Sequence, residues 1–151
     1  MTEKKPNICI TTHYDAGFRR VGDMAWASIR AYAACHGHIA AMPTIVPSGR
    51  HPSWDKILAV RKLFEKGHEF IFWVDADAIC IPSGPDIVRE IEDGKDIYLF
   101  RHSFPGGTMP NFGVFLLRNT AWSRGMLDAL WAMEKYRDHI WWENAAFDDL
   151  F

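Results

Sequence analysis

Near the middle of the chain, Glu69-Phe-Ile-Phe-Trp-Val is apolar almost without interruption and runs straight into Asp75-Ala-Asp. A strand with one wet face alternates apolar and polar side chains, so a run without alternation belongs to a strand covered on both faces. Such a strand lies inside a sheet with helices on either side, and the rest of the chain has to supply those layers.

The remaining pattern supplies them. Asn7 to Thr12 is rich in β-branched residues and predicts a first strand. Gly22 to His36 carries apolar residues at helical spacing, with Gly37 as its stop. Ile39 to Val46 is a second apolar run, which Pro43 confines to an edge or an irregular strand. Ser53 is the expected N-cap of a helix reaching Lys66, striped by Ile57, Leu58, Val60, Arg61 and Phe64 and ended by Gly67. Shorter elements are expected as a helix near Asp86 to Glu92, strands at Ile97 to Phe100 and Gly113 to Leu117, and helices from Ala121 to about Tyr136 and from Glu143 to Phe151. Strands alternating with helices predict an α/β sandwich with a mostly parallel central sheet.

With 151 residues, 48% of them hydrophobic, the chain has the size of one domain, taken as 1-151. A net charge of -2 gives no positive field to draw in nucleic acid. Cys9, Cys35 and Cys80 fit no disulfide framework or zinc spacing and read as reduced thiols. The amino terminus lacks a signal-peptide core and no apolar run reaches the length of a membrane span, so a cytoplasmic protein is expected.

Asp75 and Asp77 stand where the buried strand leaves the sheet, and ligands of open α/β sheets bind outside the carboxyl ends of strands. Two carboxylates two residues apart offer oxygen ligands suited to Mg²⁺ or Mn²⁺ and, through the ion, to a diphosphate. The competing reading is a strand ended by a turn.

Three blocks, His51-Pro-Ser-Trp-Asp-Lys-Ile-Leu-Ala-Val-Arg, Phe70-Ile-Phe-Trp-Val-Asp-Ala-Asp-Ala-Ile, and Asn111-Phe-Gly-Val-Phe-Leu-Leu-Arg-Asn with Trp122, together resemble the galactosyl/xylosyltransferase family of yeast mannan and plant xyloglucan synthesis. The resemblance runs from about Trp54 to Phe147. It implies a GT-A type nucleotide-diphospho-sugar transferase fold, a nucleotide-sugar donor, typically UDP-linked, a divalent cation, a saccharide or other hydroxyl acceptor, and transfer with retention. By position, Asp75, Ala76 and Asp77 would form the acidic motif holding metal and donor. Lys56 is assigned to the donor side, the alternative being a lysine on the wet face of its helix. Asn111 and Gly113 match an Asn-x-Gly block that meets the donor sugar, or else a turn into a strand. Glu143-Asn144 occupies the catalytic position, departing at Asn144 from the family's glutamine. A carboxylate there would stabilise positive charge at the anomeric carbon. Thr11, Thr12 and His13 follow the first strand, where GT-A enzymes seat base and ribose, the alternative being a strand that ends in small polar residues. The family's further metal ligand, a histidine, comes from a region downstream of this sequence, so either another group or water completes the coordination sphere, or the domain is shortened at its carboxyl terminus. His36, His38, His51, His68, His102 and His139 show no ligand spacing. Trp141 and Trp142 are either sugar platforms or core.

Two other functions compete. Haloacid-dehalogenase-like phosphatases also place Asp-x-Asp after an apolar strand, and Asp148-Asp149 would imitate their late acidic pair. A shortened GT-A domain that binds nucleotide or carbohydrate without catalysis is the other.

Overall fold

A computed structural model describes residues 5–151; the reading of the extreme amino terminus as free of a signal core falls partly on residues 1–4, outside those described. The expected central strand forms as β3 (Phe70–Val74), and its side chains divide between two cores. Phe70 and Val74 pack with Ile29, Tyr32 and Ala33 of α1 (Arg19–His36). Ile71 and Trp73 pack with Ile57, Val60, Leu63 and Phe64 of α2 (Asp55–Glu65). The period-two alternation of a strand thus explains why the run has no polar member: each face is buried under a helix.

The sheet runs in the order β2-β1-β3-β5-β4, with β1 (Ile8–Thr11) parallel to β2 (Ile39–Ala40) and to β3. β5 (Gly107–Arg118) pairs antiparallel with β3 and with β4 (Ile97–Phe104), so it alone opposes the other four strands. α3 (Ala121–Ala132) and α4 (Trp142–Leu150) add Met126, Leu127, Leu130, Ala146 and Phe147 to the α2 side, completing an α/β/α sandwich.

Several boundaries differ from the sequence reading, each for a local reason. The two carboxyl-side strands are long arms of one hairpin turned at Pro105-Gly106, where Gly106 adopts φ 114°. The pattern of half-exposed residues along β4 hides its length. Ser53 is not a helix cap: it lies inside a 3₁₀ turn, Pro52–Trp54, whose first N–H groups are served by His51 Nδ1, accepting from Ser53 N at 3.3 Å. The expected Asp86 helix is only a 3₁₀ turn, Ile87–Glu90, with the Asp86 carboxylate accepting from Val88 N. α3 starts at its Thr120 cap but stops at Ala132, and Glu134–Tyr136 follows as a separate turn. β2 keeps just two residues ahead of Pro43. Among the described residues no helix is long and apolar enough to cross a membrane.

Candidate active site

Asp75 continues the parity of Ile71 and Trp73 and therefore leaves the sheet on the α2 side. There it meets Lys56, in the first turn of α2, and Glu143, in the first turn of α4. Lys56 Nζ lies 2.7 Å from Glu143 Oε1 and 3.1 Å from Asp75 Oδ1, and donates to the Phe112 carbonyl at 2.9 Å. Trp73 Nε1 donates to the same Asp75 oxygen at 2.6 Å. Lys56 is 3% exposed, so it is not on a wet helix face: it is a buried cation joining two of the sequence-predicted carboxylates. Burial works against its charge, yet Glu143 and then Asp75 hold the ammonium above its ordinary value. Burial pushes the Asp75 carboxyl up, against the pull of Lys56 and of the Trp73 N–H. Glu143 Oε2 is buried with no hydrogen-bond partner among the described residues. With one ammonium between two carboxylates, the cluster carries a net charge of -1 when all three groups are ionised.

Beyond Asp75 the chain turns, with Ala78 N–H donating to the Asp75 carbonyl at 2.9 Å. Ala76 is buried inside this turn, while Asp77 is exposed and makes no ion pair among the described residues. All three border a cleft of about 400 Å³, with Lys56 at its floor. Thr11 and Thr12, expected here, are fully buried at the end of β1. The cleft wall begins one residue later with His13, Tyr14 and Asp15, and His51 joins them. The signal for Tyr14 and Asp15 was present in the strand end they follow; for His51 it lay only in its block, since its role depends on a stacking partner far along the chain.

That partner is Trp142, whose ring stacks on His51 at 3.6 Å between centroids and 5° between planes. Trp142 adopts φ 40°, a left-handed conformation costly for a bulky L-residue and typical of positions held by function or by their surroundings. It borders both this cleft and a second one of about 660 Å³, as do Ser53 and Asp75. Asn111, Gly113, Glu143 and Asn144 border the second. The Asn-x-Gly block also supports the carboxylate. Asn111 Oδ1 accepts from Gly113 N at 2.7 Å and Asp75 N donates to the Gly113 carbonyl at 2.8 Å. A Cβ on Gly113 would stand 2.7 Å from Asp75 Oδ2 and 2.8 Å from Asn111 Oδ1, so the close approach that requires glycine is made by these side chains. Because Asn111 Oδ1 is committed to Gly113, its Nδ2 is the atom facing His102, and His102 Nε2 accepts. Asn144 Oδ1 accepts from Phe112 N at 2.7 Å and fixes β5 against α4, a positioning contact.

Among the described residues no group of three or more His, Cys, Asp or Glu side chains is arranged to hold a metal ion. The donor set fits an ion held less completely: Asp75 Oδ1 is taken, but Asp75 Oδ2 and the whole Asp77 carboxylate have no hydrogen-bond partner among the described residues, and Mg²⁺ is commonly bound by one or two carboxylates plus substrate phosphate and water. Asp148 and Asp149 border neither cleft; Asp149 pairs with Lys135 at 2.7 Å, far from the role of a second phosphatase motif.

Solved structures share the fold. A glycosyltransferase involved in the glycosylation of the major capsid of PBCV-1 superposes with a TM-score of 0.77 over 97% of this chain and 77% of its own, at 16% identity. The glycosyltransferase GlyE of Streptococcus pneumoniae TIGR4 gives 0.67 over 98% of this chain and 44% of its own, at 15% identity. The fold is that of the GT-A glycosyltransferases. In sequence, the chain is similar to curated glycosyltransferases. It is 37% identical to xyloglucan 6-xylosyltransferase 1 of Arabidopsis thaliana over 52% of this chain, and 24% identical to the probable alpha-1,6-mannosyltransferase MNN10 of Saccharomyces cerevisiae over 80% of it. The chain spans 18% and 39% of the lengths of these relatives. No family model matches the sequence.

Proposed function

We propose that residues 1–151 form one glycosyltransferase domain that moves a hexose or pentose from a nucleotide-diphosphate sugar, UDP-linked, to a hydroxyl of a saccharide, with retention at the anomeric carbon. The observation that carries this reading is the Asp75-Lys56-Glu143 cluster at the seam where two clefts meet. The cleft bordered by His13, Tyr14 and Asp77 takes the nucleotide and diphosphate, and the sugar crosses the seam toward Glu143.

Asp77 and Asp75 Oδ2 are the atoms that would hold Mn²⁺ or Mg²⁺. An ion held there would supply positive charge against that of the departing diphosphate. In the reaction the bond from the anomeric carbon to the diphosphate oxygen breaks with its electron pair leaving on the diphosphate, a bond to the acceptor oxygen forms, and the acceptor hydroxyl's proton passes to the departing diphosphate. Positive charge grows on the sugar as the first bond weakens, and the Glu143 carboxylate stands beside it in a site where burial strengthens electrostatics. Lys56 fixes Glu143 and Asp75 in register with each other, so their geometry is set before substrate arrives. Asn144 and Gly113 act one step further out, through β5 and through the space they leave for Asp75.

Titration calorimetry of UDP with and without Mn²⁺, on the wild type and on the double variant Asp75→Asn/Asp77→Asn, tests the donor site. Metal-dependent binding lost in the variant is expected. Binding indifferent to both metal and substitution, or no binding, overturns the assignment.

A further inference from the structure

The second cleft, larger than the first at about 660 Å³, has a lining of two chemistries. Trp141, Phe104 and Met109 supply apolar surface, with the Trp141 and Phe104 side chains 51% and 46% exposed. His102, Ser103 and Glu143 supply polar groups. A pyranose ring divides in the same way, with C–H groups across its faces and hydroxyls around its rim, so it matches an aromatic surface edged by hydrogen-bonding groups. A hydrocarbon would leave the polar wall unsatisfied, and an anion would meet the negative charge of Glu143.

The floor of the cleft also lacks one hydrogen bond. Glu143 is 4% exposed; Lys56 holds its Oε1 at 2.7 Å, while Oε2 has no partner among the described residues. Buried acceptors in folded proteins are nearly always paired, and the exceptions call for a ligand or a functional cause. An alcohol donor supplies the missing proton without adding charge.

We propose that this cleft seats a terminal pyranose of the acceptor saccharide, its ring face against Trp141 and one hydroxyl donating to Glu143 Oε2. Trp141 borders only this cleft, whereas Trp142 borders both, so the adjacent tryptophans divide the work: Trp142 walls the seam and Trp141 is the ring platform. The direction of transfer rests on the donor reading above; binding of the saccharide does not.

The test is saturation-transfer NMR on the full chain, without nucleotide or metal, using mannotetraose and cellotetraose, with sorbitol as a hydroxyl-matched control lacking a ring. Ring-proton signals from at least one tetrasaccharide and none from sorbitol are expected. Affinity should fall roughly tenfold in Trp141→Ala, the size of one lost aromatic stacking contact, and also in Glu143→Gln, with UDP affinity in Trp141→Ala unchanged by calorimetry. No transfer to either tetrasaccharide, or transfer that survives Trp141→Ala and Phe104→Ala undiminished, overturns the proposal. Failure of UDP to bind while the saccharide binds would overturn the donor site alone.

Discussion

Lys56 joins parts of the chain that are distant in sequence. Its ammonium is satisfied by a carboxylate from the end of β3, another from the start of α4 and a carbonyl of β5, and it lies within 5.7 Å of the Trp73 ring centroid and 5.6 Å of that of Phe112. Removing one member of a buried ion cluster leaves the others desolvated and uncompensated, which costs about 3 to 5 kcal/mol. Lys56→Met is expected to lose stability on that scale in urea titration, and adding Glu143→Gln should recover part of it, because the second change removes a charge that has lost its partner. A loss under about 1 kcal/mol would mean that the cluster is solvated and Lys56 a surface residue after all. The apolar strand pointed to Asp75 and Asp77 in the sequence and the family resemblance to Glu143, each at an element boundary beside apolar residues. The pairing was not legible, because a lysine in an amphipathic helix looks the same whether its face meets water or two carboxylates from other elements.

At the scale of elements, β3 was readable because burial on both faces leaves a mark in composition, and Gly37 and Gly67 mark helix ends with positive φ. The β4 and β5 hairpin was half-read, since its outer residues are exposed and follow no periodic pattern. Gly113 ties these elements to the site. It lies one residue beyond the β3–β5 pair Val74 and Val114, and it has room for neither a Cβ nor a shift of the strand while Asp75 Oδ2 stands 2.7 Å from where that Cβ would be. Gly113→Ala should therefore move the Asp75 carboxylate before it unfolds the sheet. The expected result is a stability loss of about 1 to 3 kcal/mol, as for overpacking, together with at least a tenfold loss of metal-dependent UDP affinity. Gly125, with nothing near its would-be Cβ, serves as the control: Gly125→Ala should leave UDP affinity unchanged. Equal effects at the two glycines would remove Gly113 from the site.

Across the whole molecule, the two faces of the sheet carry different electrostatic loads. The α2 side buries the net negative cluster of Asp75, Lys56 and Glu143, and the α1 side carries Asp86, which accepts from His38 Nε2 at 2.7 Å, from Lys5 Nζ at 3.1 Å and from Val88 N at 3.1 Å. Asp86 thereby ties the amino-terminal segment and the turn after α1 to the 3₁₀ turn that covers Phe72 and Tyr98. Burial alone would raise its carboxyl, but the hydrogen bonds from His38, Val88 and Lys5 outweigh it and bring it down to about 2. A carboxyl depressed in the folded state binds protons more weakly there than in the unfolded chain. Its stabilisation is therefore complete above the ordinary value of 3.8 and is lost as pH falls from there toward about 2. Solvent reaches Lys5, so the contribution is reduced from the full linkage value to about 1 to 2 kcal/mol. Thermal or urea unfolding between pH 6 and pH 2 should show this acid limb in the wild type and a shallower one in Asp86→Asn, with the two curves converging near pH 2. Because Asp86 lies across the sheet from Lys56, UDP affinity at pH 7 should be the same in both proteins. An acid limb of equal depth in Asp86→Asn would assign the loss to other carboxylates, with Asp86 no longer the tie between these segments.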